Sequence, residues 1–516
     1  MEAETQRLYW ERFGLWYEQH RQYLHAIAAY RKSENYDALL RVIRSDAGIL
    51  LASLKPEDVL TALDNCPAET LKAYPFAILV LMRRMFTWRQ IPKMLELKEL
   101  LLAAITEHPD WPESERGDLL GECDLIMSFL MYNDISAMSR LHRSASAQMS
   151  RPAISIQKSG GWTFGSPSVL MMFYRASGEL QSELTEMDEC MPHYYKITNG
   201  HGQGAETIMR AEADFMHACF ADAQIMLERA YAQIDGNGQE NMALCCDFLA
   251  WRLSLCTSFT PRESFEQRRE ALLELHSVTW LNILQSSCAY YYALLGLPEK
   301  IPAVFREHQL ASIHFLAPGK PMMELIENQV YLAQGEYAKV IGHSEALLGM
   351  CEAMHYALVA LHIRLQTAAA YEMLGKRETA DELLISALAA AEPDALYLPF
   401  VENYRYLKTA LTRGAGAKFA AFVRTVTPLG EDFVRRCGEK RAEGSRPAAL
   451  AGLTERENAI AALVAKRLSN REIAEQLFLS EGSVKQYINQ IYSKLLITGD
   501  VRTKRKRLAE LAAPKN

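Results

Sequence analysis

The sequence predicts an all-α protein with a long body of stacked helices and a small four-helix domain at the C-terminus. Three observations predict it. Apolar residues recur at offsets of three and four nearly throughout the 516 residues. Two stretches late in the body each read as a helix, a Gly-containing turn and a second helix. Near the C-terminus, two Thr/Ser-x-x-Glu sequences have the form of capping boxes, in which a hydroxyl and a carboxylate satisfy helix-start amides reciprocally. The length exceeds one ordinary core, which suits several units or a repeat array.

From the N-terminus, residues 1–110 form the expected first helical region and residues 111–436 the expected repeats. Leu325 to Leu348 and Tyr356 to Leu388 are the clearest units, with turns at Gly335 and Gly375 and hence a period of about 40 residues. Alanines at Ala223, Ala230, Ala380, Ala387 and Ala391 let paired helices approach closely. The pattern is similar to a tetratricopeptide-like helical-repeat solenoid, in which each unit buries its apolar face against its neighbours. One segment breaks the rhythm, Ser150 to Pro167, with Trp162 and Phe164 among glycines. Loops this long inside helical proteins are often functional, so the two aromatics either line a pocket or plug a gap between repeats. His201 lies in a Gly-His-Gly-Gln-Gly run ahead of a helix expected near Ala205, a turn sequence whose amides can also hold an anion. Trp162, Phe164 and His201 are the candidate effector-binding residues.

Residues 437–447 read as a linker, and 448–516 as the C-terminal domain. Thr454-x-x-Glu457 opens a helix carrying Ile460, Leu463 and Val464, and Ser469-x-x-Glu472 opens another carrying Ile473, Ala474 and Leu477. A third begins near Ser480 and places Val484, Ile488, Ile491 and Leu495 on one stripe. At about 100° per residue, Lys485, Gln486, Asn489 and Ser493 then face outward. Lys suits guanine acceptors, while Asn and Gln can pair bidentately with adenine, so this face fits major-groove readout; an ordinary solvated helix face is polar as well. A last helix, Val501 to Leu511, carries the run Arg502, Lys504, Arg505, Lys506, Arg507, a source of phosphate contacts beside a DNA-reading helix.

The run LTERENAIAALVAKRLSNREIAEQLFLSEGSVKQYINQIYSKL, Leu453 to Leu495, resembles the LuxR-type helix-turn-helix. That resemblance implies a two-helix motif from Asn470 to Asn489, with Lys485, Gln486 and Asn489 facing bases and Ser483 and Tyr487 approaching phosphates. It also implies double-stranded DNA as partner, a homodimer on DNA, and contact with RNA polymerase. Three positions depart from the family pattern. Tyr487 stands where His is usual and keeps a hydroxyl donor. Leu496 replaces the Gly that ends the reading helix, where a left-handed residue with a side chain costs roughly 1 to 2 kcal/mol, so Gly499 is expected to take over the turn. Two extra residues separate Ile497 from Arg502.

Upstream, Phe13 to Ile43 and Cys66 to Phe86 resemble the helical segment that follows the ATPase in MalT-like regulators. The phosphate-cradling GxxxxGK[ST] run of those regulators is absent from these 516 residues, so ATP binding is not expected.

Charge divides the chain. Arg446 to Asn516 hold 13 Lys and Arg against 7 Asp and Glu, net +6, while the rest holds 43 against 56, net −13. The basic end suits a polyanion and the acidic body does not. The ten cysteines show no CxxC pair or zinc spacing, and no metal or cofactor is expected. Cys245 and Cys246 are adjacent, and a reducing, cytoplasmic compartment fits this usage. The polar N-terminus lacks an apolar signal core, and the longest apolar run, Ala73 to Met82, is too short to span a bilayer. His25, His193, His201 and His217 have no catalytic spacing, so an enzyme is not expected. The sequence therefore reads as a cytoplasmic bacterial transcription regulator whose repeats sense a small-molecule or protein effector. The opposing class is an interaction scaffold whose helix-turn-helix no longer reads DNA.

Overall fold

Helices form wherever the apolar spacing is helical, and the described residues contain no strand. The computed structural model describes residues 2–45, 50–313, 317–413, 418–444, 450 and 453–512. It divides into two compact units, Met1–Phe433 and Val434–Asn516.

In the first unit successive helices fold back on one another, because each presents one apolar stripe that only a neighbour can cover. Lys320–Gln334 packs on Tyr337–Ala353, which packs on Ala357–Met373, which packs on Arg377–Ala391. Lys320–Gln334 also packs directly on Ala357–Met373, so like helices of successive pairs touch. Gly335 and Gly375 make the turns with φ of 78° and 75°, a conformation that costs glycine no steric strain. Ala380, Ala387 and Ala391 are fully buried at the contacts, as the close-packing expectation requires. Earlier pairs repeat the arrangement, including Ala205–Met216 with Phe220–Ile234 and Glu113–Ser128 with Ile135–Gln148.

Packing or a continuous helix runs across both expected boundaries. Position 110 separates no compact units, because Glu113–Ser128 packs on both Pro75–Thr87 and Ile91–Glu107 and the stack continues through it. The supposed linker at 437–447 is helical up to Gly444, the end of Ala420–Gly444; its remainder lies outside the described residues. The Gly content of the Gly/Ala/Pro-containing stretch that suggested a break is tolerated there, since a single interior Gly costs a helix only about 1 kcal/mol.

One ion pair in the body is almost completely buried. Arg252 Nε donates to Glu402 Oε1 at 2.8 Å, and both side chains are 1% exposed. Tyr290 donates its hydroxyl to Glu402 Oε2 at 2.8 Å, and the guanidinium lies 4.8 Å from the Phe215 ring centre. Residues 150 apart in sequence are thereby joined between Glu240–Cys256 and Leu398–Glu402. Glu402→Ala strands the arginine charge in the core. It is expected to destabilise the body by about 3 to 5 kcal/mol, read as a lower denaturant midpoint for the body's transition.

Candidate nucleic-acid interface

Caps set the helices of the second unit. Thr454 Oγ1 accepts the Glu457 amide at 3.3 Å while Glu457 Oε2 accepts the Thr454 amide at 2.7 Å, opening Glu455–Ala465. Ser469 and Glu472 repeat this at 3.3 and 2.7 Å, opening Asn470–Leu477. Both capping boxes lie where the sequence placed them. Phe478, with φ of 55° and 95% exposed, turns the chain toward Ser480. Ser480 Oγ accepts the Ser483 amide at 3.1 Å and caps Glu481–Lys494. Asp500 opens Val501–Ala512 by accepting the Thr503 amide at 2.7 Å.

One core holds the four helices together. Ile460, Val464, Ile473, Val484, Ile488, Ile491 and Leu508 are buried in it, with Leu463, Leu477 and Leu495 against its margin. Because Val484, Ile488 and Ile491 face inward, the opposite side of Glu481–Lys494 must face solvent. Lys485, Gln486 and Asn489 are all exposed there. Gln490 is exposed as well, one turn beyond Gln486, and extends the face in a way the sequence reading missed.

The helix is tied at its far end by a contact with no local signature. Lys494 Nζ lies 2.7 Å from Glu457 Oε2, so the carboxylate that completes the first cap also holds the end of the third helix. Burial raises the Glu457 carboxyl, but Lys494 and the Thr454 amide outweigh it and hold the group below the usual carboxylate range.

The expected phosphate contacts separate into groups. Ser483 and Tyr487 are half-buried; the Ser483 hydroxyl lies 2.8 Å from Ser480 Oγ and Tyr487 packs on the core. Arg502 and Lys506 are exposed, Lys506 standing 3.9 Å from Glu510 in a weak helical pair. Lys504 is half-buried, its ammonium 5.9 Å from the Tyr492 ring centre. Arg505 has a different place. Its guanidinium donates to Asn470 Oδ1 and to the Leu468 carbonyl, each at 2.6 Å, fastening the last helix to the start of the second. Such a contact joins residues 35 apart and is invisible to a reading of charge runs.

Leu496 adopts φ of 51° and is 85% exposed. The left-handed end of the reading helix therefore stays at the expected position, held by leucine, and Gly499, with φ of 127°, does not replace it.

These features define the class: the C-terminal domain is a LuxR-family helix-turn-helix domain. Residues 451–505 match the family described as bacterial regulatory proteins, luxR family. The chain is 41% identical over 63 residues to the transcriptional regulatory protein LnrK of Bacillus subtilis (strain 168), covering 11% of this chain and 29% of that protein. It is 39% identical over 46 residues to the DNA-binding transcriptional activator DevR/DosR of Mycobacterium tuberculosis (strain ATCC 25618 / H37Rv), covering 9% and 21%. The chain thus spans less than a third of the length of these curated relatives. No solved structure matches it significantly.

The candidate effector residues come together in the body, in a cavity separate from this domain. Trp162, Phe164 and His201 all line one cavity of about 40 Å³. Four further lining residues, Arg83, His142, Cys190 and Tyr194, gave no signal in the sequence because they sit on three separate helices. Among the described residues no group of three or more His, Cys, Asp or Glu could hold a metal ion.

Leu496→Gly relieves the left-handed side chain, at the cost of a more flexible unfolded chain. The substitution is expected to stabilise the C-terminal domain by about 0.5 to 1 kcal/mol, measured by urea unfolding of the isolated domain.

Proposed function

We propose that this chain is a sequence-specific, DNA-binding transcription regulator whose helical-repeat body senses an effector. The observation that carries the reading is the exposed Lys485, Gln486, Asn489 face on a helix whose opposite side is locked into the core of a LuxR-family domain. Those side chains supply the donor and acceptor pairs that major-groove edges need. A domain charge of +6 beside a body charge of −13 supports the same assignment, since phosphates attract the former and repel the latter.

In this reading Lys485, Gln486 and Asn489 read bases, Arg502 and Lys506 with Ser483 and Tyr487 contact phosphates, and Arg505 positions the last helix. The DNA-bound form is a homodimer that engages RNA polymerase, and the body, as in MalT-like regulators, relays an effector signal without catalysing a reaction. The protein works in the cytoplasm. Among the described residues no helix is long and apolar enough to cross a membrane, which fits that placement.

Binding to duplex DNA at several salt concentrations separates these roles. Lys485→Ala and Asn489→Ala should each cost roughly 1 to 3 kcal/mol on the cognate site and relax base preference there. Arg502→Gln with Lys506→Gln should weaken cognate and random DNA alike and make the slope of log affinity against log salt shallower by up to about 2. Equal losses on cognate and random DNA for the first pair would remove the base-reading assignment.

A further inference from the structure

The cavity that gathers Trp162, Phe164 and His201 is also lined by a half-buried positive charge with no carboxylate beside it. Arg83, on Pro75–Thr87, is the charged residue of its lining; the remainder are apolar or aromatic side chains, a glycine, a cysteine, a tyrosine and two histidines. Burial pulls His142 down to about 3 and His201 down to about 4, so both are neutral at neutral pH. Their ring nitrogens are occupied: His142 by Ser128 Oγ at 2.9 Å and Cys190 Sγ at 3.2 Å, His201 by the Tyr194 hydroxyl at 2.7 Å and the Gly160 carbonyl at 3.2 Å.

Arg83 has no comparable partner. It donates from one terminal nitrogen to Thr87 Oγ1 at 2.9 Å and lies 4.8 Å from the Phe129 ring centre, but its Nε is shut off from solvent with nothing to bond. Burial lowers the guanidinium to about 10, which still leaves it charged at neutral pH. Elsewhere in the body Arg252 and Arg268 each meet a carboxylate, Glu402 and Asp247, whereas half-buried Arg83 has none beside it. A half-buried cation whose Nε is cut off from solvent without a partner lacks one interaction, and an anion in the adjoining cavity supplies it.

The walls restrict what that anion is. Phe129, Ile135, Met138 and Met191 surround the space with apolar surface, which fits a carboxylate with a hydrocarbon end better than a phosphate. The volume of about 40 Å³ holds only about three or four water-sized groups. The loop that closes the space is itself held in place. Asn241 Oδ1 accepts the Trp162 and Thr163 amides at 2.6 and 2.8 Å, and Phe164 is held at φ of 52°.

We propose that this cavity is a binding site for a short-chain monocarboxylate, its carboxylate on Arg83 and its hydrocarbon end against the methionines and Phe129. As an effector site, the proposal rests on the sensing role assigned above to the body.

Sodium acetate is the probe, applied to the full chain, with sodium chloride at equal ionic strength and neutral acetamide as controls. Four heavy atoms support a dissociation constant on the order of 1 mM. Acetate should raise Tm saturably and change tryptophan fluorescence, and the fluorescence change should vanish in Trp162→Phe. Arg83→Met should bind acetate at least about tenfold more weakly, yet melt without acetate at or above the wild-type temperature because a stranded charge has gone. An arginine with a purely structural role would instead lower that temperature when removed. Arg83→Lys, which keeps the charge but displaces it, should weaken acetate several-fold and serves if the methionine variant does not fold.

The proposal is overturned if chloride or acetamide matches acetate in the wild type, or if acetate acts undiminished on Arg83→Met. Duplex DNA binding measured with and without acetate separates the two readings. Acetate binding that leaves DNA affinity unchanged retains the site and removes the sensing role, whereas intact DNA binding with no acetate effect removes the site alone.

Discussion

The Glu457 carboxylate fixes the orientation of the outward face of Glu481–Lys494. It closes the cap of the first helix on Thr454 and, through the same oxygen, holds Lys494 at the end of the third. A helix anchored only by Val484, Ile488 and Ile491 could still slide or roll about its stripe. With its last turn fixed to the first helix and its first turn capped by Ser480, the outward face has one orientation. Arg505 adds the remaining brace by joining the last helix to Leu468 and Asn470. Part of the basic run is thus engaged within the domain and braces the outward helix face.

The body obeys a different constraint. Its helices cover one another in sequence order, and Ala380, Ala387 and Ala391 are fully buried between them. Polar groups enter this stack mostly as matched sets, of which Arg252, Glu402 and Tyr290 are the deepest. Arg83 is one of several arginines in the body with a solvent-shielded, unbonded nitrogen, and it is the one that lines the cavity with Trp162, Phe164 and His201. Buried polar groups are normally satisfied, so an exception beside a cavity points to a ligand more strongly than a cavity alone does.

Much of the fold was legible because its signals are local. Capping boxes at Thr454 and Ser469, the stripe from Val484 to Ile491 and the turns at Gly335 and Gly375 each occupy a few consecutive residues, and local chemistry decides them. The outward Lys485, Gln486 and Asn489 followed from helical geometry once that stripe was known. Contacts between distant segments were not legible. Glu457 with Lys494, Arg505 with Asn470, and the convergence of Arg83 with His201 depend on tertiary packing that no spacing rule encodes. Composition near Gly438 and Gly444 suggested a break close to the division of the units at Phe433/Val434, but not that the helix from Ala420 runs through it. At Leu496 the backbone kept the family's left-handed turn although the side chain disfavours it, because the core on either side of that turn sets the path of the chain.

Selection of duplexes from a random-sequence library by the full chain tests the central claim most directly, since it asks for sequence preference without assuming an operator. A DNA-reading regulator enriches one defined motif, with its most invariant base pairs spaced as one helix face in the major groove allows. Retention of duplexes without enrichment of any motif, or no retention even at low salt, would contradict sequence-specific DNA reading by the Lys485, Gln486 and Asn489 face.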